Sequence, residues 1–195
     1  FVQRPSGWIQ RFSPNLSSRK KRNLPRGSKF VFLVILLGSH YEVRMNQSSE
    51  NHLSLLIKKA LDHHVAGRID QAEILYQQVL KVDPTHPIAL NQLGTVALQK
   101  GNFNAAVGLI ALATKHKPDY AEAHNNLAST LLKLGRTEDA LKSYRKAIEI
   151  KPDYINAYNN LADTLICQGQ PDEAVLLLKR ALAINCNYHQ GHNNL

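Results

Sequence analysis

Two consecutive stretches of this chain align without a gap. They are residues 121–154, AEAHNNLASTLLKLGRTEDALKSYRKAIEIKPDY, and residues 155–188, INAYNNLADTLICQGQPDEAVLLLKRALAINCNY. Both carry an NNLA block, a turn glycine, an EDA or DEA block and a closing tyrosine, at a period of 34 residues. That repeat length constrains the fold more than any composition can. Thirty-four residues are too few to bury a core alone, but they suffice for two antiparallel helices that stack on neighbouring copies.

The register extends both ways. Residues 87–120 form another full repeat, 53–86 a more diverged one, and HQGHNNL at 189–195 begins a fifth. Counting positions from Ala121 as 1, position 8 is Ala60, Gly94, Ala128 and Ala162. Position 20 is Ala72, Ala106, Ala140 and Ala174, and position 27 is Val79, Ala113, Ala147 and Ala181. Small residues there let helix axes approach closely. Position 24 is larger: Tyr76, Ile110, Tyr144 and Leu178. Gly67, Gly101, Gly135 and Gly169 fall where each first helix should end, where glycine supplies the left-handed conformation of a C-terminal cap. Acidic pairs Glu138-Asp139 and Asp172-Glu173 suit the positive end of the second helix. Pro171 suits its first turn, and Pro84, Pro118 and Pro152 suit its end. Asp119 with Glu122 reads as a capping box for the third repeat. Gly108, inside a second helix, costs about 1 kcal/mol against alanine.

This pattern resembles the tetratricopeptide repeat family, over residues 53–195. The resemblance implies an all-α solenoid of tandem helix-turn-helix repeats whose first helices line a concave groove. The expected organisation is a tail over 1–44, repeats over 53–86, 87–120, 121–154 and 155–188, and a fifth repeat starting at 189–195.

The formal charge of +9 is misleading as a guide to partners. Residues 1–44 carry nine Lys or Arg against one acid, whereas 45–195 carry fifteen basic and fourteen acidic residues. A near-neutral array gives no electrostatic reason to expect nucleic acid. The tail up to Lys29 has no helical or strand period and reads as disordered. Phe30–Leu37, FVFLVILL, is too short to cross a bilayer, which takes roughly 20 residues as helix. Three readings fit the tail: a signal-like segment at 30–39, a basic arm built on Arg19-Lys20-Lys21-Arg22, or a non-native extension ahead of Met45. The non-methionine start and the cut fifth repeat are expected of a piece of a longer protein.

No phosphate loop, nucleophile elbow or HExxH motif is present. His63-His64 and His189/His192 are the close histidine pairs, and no cysteine or carboxylate cluster completes a metal site with them. His124, His192 and Tyr158 share position 4 and read as equivalent packing residues. Cys167 and Cys186 make no disulfide framework and fit a reducing compartment, so the expected location is cytoplasmic, with export left open by the segment at 30–39. The chain is expected to be non-enzymatic, with no catalytic residue, no metal and no cofactor.

What remains is a surface. Position 5 is Ile57, Asn91, Asn125, Asn159 and Asn193; position 6 is Lys58, Gln92, Asn126, Asn160 and Asn194. Asparagine inside a helix is disfavoured by up to about 0.7 kcal/mol against alanine, so its repetition asks for a cause. By the resemblance, positions 5 and 6 face the groove, and the expected partner is an extended segment of another protein. A carboxamide can pair with both N–H and C=O of such a backbone. The competing cause is bonding within the array itself. The AHNNLA block, the asparagines and the P-D-Y junctions are most similar to the repeats of O-linked N-acetylglucosamine transferases and their bacterial Spindly-type relatives. That resemblance implies a second reading, the substrate-recruiting arm of a glycosyltransferase whose catalytic domain lies beyond residue 195. A clamp for a terminal carboxylate, as in chaperone-binding members, is not expected, because position 5 lacks lysine.

Overall fold

The computed structural model describes residues 50–184, and these form helices joined by short turns. The first, α1, occupies residues 50–65. It is followed by α2 (Ile69–Val82), α3 (Pro87–Gln99), α4 (Phe103–His116), α5 (Ala121–Lys133), α6 (Thr137–Ile150), α7 (Ile155–Cys167) and α8 (Pro171–Ile184). The tail over 1–44 and the fifth repeat, with Asn193 and Asn194, lie outside the described residues. So does Cys186.

Helices pack in sequence order, α3 against α4, α5 against α6 and α7 against α8, and each pair then packs on the next. First helices also lie side by side, since α3 touches α5 directly. Close approach at the small positions makes this possible. Every residue at positions 8, 20 and 27 from Ala60 to Ala181 is buried. Opposite position 8 sits the large residue of position 24: Tyr76, Ile110, Tyr144 and Leu178 are each at most 2 % exposed. Gly94 shows how tight the fit is. A Cβ built there would collide with Ile110 Cγ1 and come within 3.3 Å of the Ala106 carbonyl. The larger neighbour at position 24 therefore dictates the smaller residue at position 8.

The turn inside each pair is the same structure four times. Gly101 has φ 79°, its N–H reaches Leu98 O at 3.0 Å, and Asn102 N–H reaches Ala97 O at 2.8 Å. Gly67, Gly135 and Gly169 repeat the geometry, which satisfies carbonyls that the helix end would leave unbonded. The helix starts behave differently from one sequence expectation. Tyr120, not Asp119, is the N-cap of α5, and no side chain caps that end. Its carbonyl instead takes the first helical hydrogen bond, from His124 N at 3.2 Å. Asp119 lies one residue too early to reach the free N–H groups.

Between pairs, position 4 reaches back across the junction. His124 Nε2 lies 3.0 Å from Pro118 O, and Tyr158 Oη donates to Pro152 O at 3.1 Å. These residues tie the junction by hydrogen bonds as well as by packing. Lys117 and Lys151 each lie 5.3 Å from the ring centre of the tyrosine three residues on, Tyr120 and Tyr154. Ion pairs add smaller links: Lys100 Nζ to Asp70 at 2.7 Å and to Glu73 at 2.6 Å, and Arg145 to Glu173 at 3.0 Å. Lying at the surface, these pairs are screened by solvent and are weak links.

The two helical glycines should respond oppositely to substitution. Gly94→Leu is expected to destabilise by about 1–3 kcal/mol, because a side chain there would overlap Ile110 Cγ1 and crowd the Ala106 carbonyl. Gly108→Ala is expected to stabilise by up to about 1 kcal/mol, since its added Cβ meets no atom within 4 Å. Denaturant midpoints of both variants check the register; an unchanged midpoint for Gly94→Leu would contradict it.

Candidate functional site

The repeated asparagines divide into two layers. Those at position 5 turn into the stack: Asn91, Asn125 and Asn159 are 0 %, 7 % and 6 % exposed. Those at position 6, Asn126 and Asn160, are half-buried, as is Gln92. The layers are joined across repeats. Asn126 Nδ2 donates to Asn91 Oδ1 at 3.1 Å, and Asn160 Nδ2 donates to Asn125 Oδ1 at 3.0 Å. Each position-6 carboxamide is thus held by the position-5 carboxamide of the preceding repeat.

Gln92 does not join this pattern, for a clear reason. The preceding position 5 is Ile57, which is buried and offers no acceptor. The Gln92 side chain is instead held within its own helix, its Oε1 accepting from Thr95 Oγ1 at 3.3 Å. The cross-repeat ladder begins with Asn91 and Asn126.

Each cross-link uses one of the two N–H groups of a position-6 carboxamide. The second N–H and Oδ1 of Asn126 and Asn160 make no hydrogen bond among the described residues. The inner layer has its own support: Asn91 Nδ2 makes a long 3.5 Å contact with Tyr120 Oη. Burial pushes the Tyr120 phenol up to about 12, with the Glu122 carboxylate acting the same way and the Asn91 contact opposing. Burial likewise pushes Tyr76 up to about 12, helped by the neighbouring Tyr120. Tyr144 is raised as well, first by burial, and its hydroxyl pairs with Ser129 Oγ at 2.9 Å. Tyr120 was not singled out for the site from sequence, although the recurrence of tyrosine at position 34 was a usable signal.

Beside Asn160, helices α5, α6 and α7 border an open cavity of about 400 Å³. Leu132, Thr137, Tyr144, Asp163 and Cys167 contribute to its lining. Among the described residues no three His, Cys, Asp or Glu side chains are grouped to hold a metal ion, and no helix is long and apolar enough to cross a membrane.

Two sequence profiles, both described as tetratricopeptide repeat, match residues 66–130 and 119–187. The chain belongs to the tetratricopeptide repeat family. Its fold is a scaffold typical of protein–protein interaction, and the paired helices of this chain are that scaffold. No curated protein matches the sequence as a relative. Among solved structures, the array is similar to MamA, with 25 % identity over 74 % of this chain and 79 % of that one, at a TM-score of 0.60. It is also similar to a mutant of the Thermobaculum terrenum O-GlcNAc transferase, with 28 % identity over 66 % of this chain, at a TM-score of 0.63. That match spans 25 % of the transferase. Pseudomonas aeruginosa PilF shares the fold at 20 % identity, covering 73 % of this chain and 65 % of that one, with a TM-score of 0.68.

The buried phenols give the array an alkaline limit. The folded state holds protons on Tyr76 and Tyr120 that the unfolded chain releases near its ordinary value of about 10. Their contribution to stability is therefore complete below pH 10 and is lost as pH rises toward 12. Phenolate absorbance should rise for these two residues together with loss of helicity above pH 10. Ionisation at pH 10 with the helices intact would contradict their burial.

Proposed function

We propose that the array holds extended segments of other proteins along the row of position-6 carboxamides. One observation carries this reading. Asn126 and Asn160 are fixed by the preceding repeat through one N–H, which leaves an acceptor and a donor on each. That is the pair of groups an extended backbone requires, since it offers N–H and C=O in alternation. Contacts to backbone alone are indifferent to client sequence and suit a scaffold that meets several partners. Asn194, by sequence, would extend the row; Asn91, Asn125 and Asn159 serve it from behind, and Gln92 is its weakest member. The near-neutral charge of the array goes with a protein partner and gives a polyanion no foothold. The exposed free thiol of Cys167 agrees with a reducing, cytoplasmic setting.

A second reading rests on the similarity to the O-GlcNAc transferase. On that reading the groove recruits protein substrates for a glycosyltransferase domain carried elsewhere in the full-length protein. The two readings share the groove and differ only in the domain joined to it.

The double variant Asn126→Ala with Asn160→Ala tests the shared part. Each substitution removes a position-6 carboxamide and leaves a buried acceptor behind, so the melting midpoint should fall modestly while helicity persists. Affinity for a client segment should drop by about tenfold, from two lost hydrogen-bonding groups at roughly 0.5–1.5 kcal/mol each. Titration of a client peptide into both proteins gives the answer. Unchanged affinity would make the carboxamides purely structural.

A further inference from the structure

We propose that the cavity beside Asn160 takes the side chain of a lysine or arginine from the bound segment, and so sets its register. The inference rests on the peptide-groove reading and goes beyond it by naming a side chain. A row of equivalent carboxamides binds a backbone equally well after a shift of one rung, so the ladder alone cannot set register. The cavity breaks that equivalence. It holds about 400 Å³, within the range of roughly 300–1,000 Å³ typical of ligand sites, and it adjoins the rung at Asn160.

Its chemistry favours a long cation. Asp163 is the formally charged side chain in the lining. At the equivalent place the earlier repeats have Thr95 and Ser129, whose hydroxyls bond back to Gln92 O at 2.7 Å and Asn125 O at 3.1 Å. The carboxylate therefore occurs at one rung of the described array. Leu132 gives an apolar wall for the methylene stem of a lysine or arginine, which lies along such surfaces with its charge at the end. Arg136, at the turn beside Thr137, is already engaged by Asp139 at 2.7 Å. Asp163 takes part in an interaction of its own, and a carboxylate has about four lone-pair sites, so one partner does not exhaust it.

An oriented library of short extended peptides, each with one fixed residue, is the probe. It is passed over the wild-type chain, Asp163→Asn, and the double variant Asn126→Ala with Asn160→Ala. The expected wild-type pool is enriched about two- to fivefold in lysine and arginine at one position, the range of an exposed ion pair. Asp163→Asn should erase that enrichment by lowering retention of the basic peptides alone, whereas the double variant should lower retention of every peptide. Asp163 is exposed, so its variant should keep the wild-type melting midpoint. A retained pool without basic preference, or one that Asp163→Asn leaves unaltered, overturns the inference while the groove reading stands. Failure of the wild-type chain to retain any peptide overturns both.

Discussion

Close approach between helices is the constraint on which the rest of this structure depends. The twelve positions from Ala60 to Ala181 are all buried, and at position 8 the large residue of position 24 fills the space opposite, as Gly94 against Ile110 shows. Tyr76, Ile110, Tyr144 and Leu178 differ in shape, and the partner at position 8 adjusts. Alanine stands at position 8 except opposite Ile110, where glycine stands and a Cβ would overlap Ile110 Cγ1. Once that spacing is set, the turn glycine and the proline junction return each pair to the same orientation, and position 5 of one repeat meets position 6 of the next.

That meeting is a polar contact inside an apolar stack, and it is stable because the buried acceptor of one repeat meets a donor of the next. A buried carboxamide without partners costs about 1–3 kcal/mol, whereas one that is bonded is close to neutral or favourable. Asn91 and Asn125 accept from the following repeat, so their burial is compensated only if that repeat is present and correctly placed. The bond discriminates between registers in a way that alanine contacts do not. A slip of one residue toward position 7 would set the Asn91 carboxamide against Leu127, which cannot answer it.

The helix pairs, the turn glycines and the small positions were legible in the sequence because each has a local signature that recurs at a fixed interval. Repetition turns a weak propensity into a firm assignment, as Gly67, Gly101, Gly135 and Gly169 show. The roles of the two asparagine layers were not legible. Adjacent residues on a helix point about 100° apart, and sequence alone does not say which of positions 5 and 6 turns inward. The family resemblance aimed both at the groove; the structure buries position 5 and leaves position 6 partly open. Nor was the capping role assigned to Asp119 met, because helix boundaries are uncertain by a residue or two and a cap needs the right one. The cavity at Asp163 could not be read at all, since it is made by three helices and lies in no single repeat.

On the proposed reading, the same carboxamide that locks neighbouring repeats together also presents the groups a bound segment would use, and this shared duty has a physical consequence. A long polar side chain free in solvent must lose rotamer freedom on binding, at about 0.5–1.5 kcal/mol per side chain. Asn126 and Asn160 have lost most of that freedom already, during folding, through Asn91 and Asn125. The helix-propensity deficit of asparagine is offset in the same step. A surface preorganised in this way can bind weakly interacting backbone with little further ordering. It also couples the two properties: whatever loosens the stacking of one repeat on the next must loosen the groove.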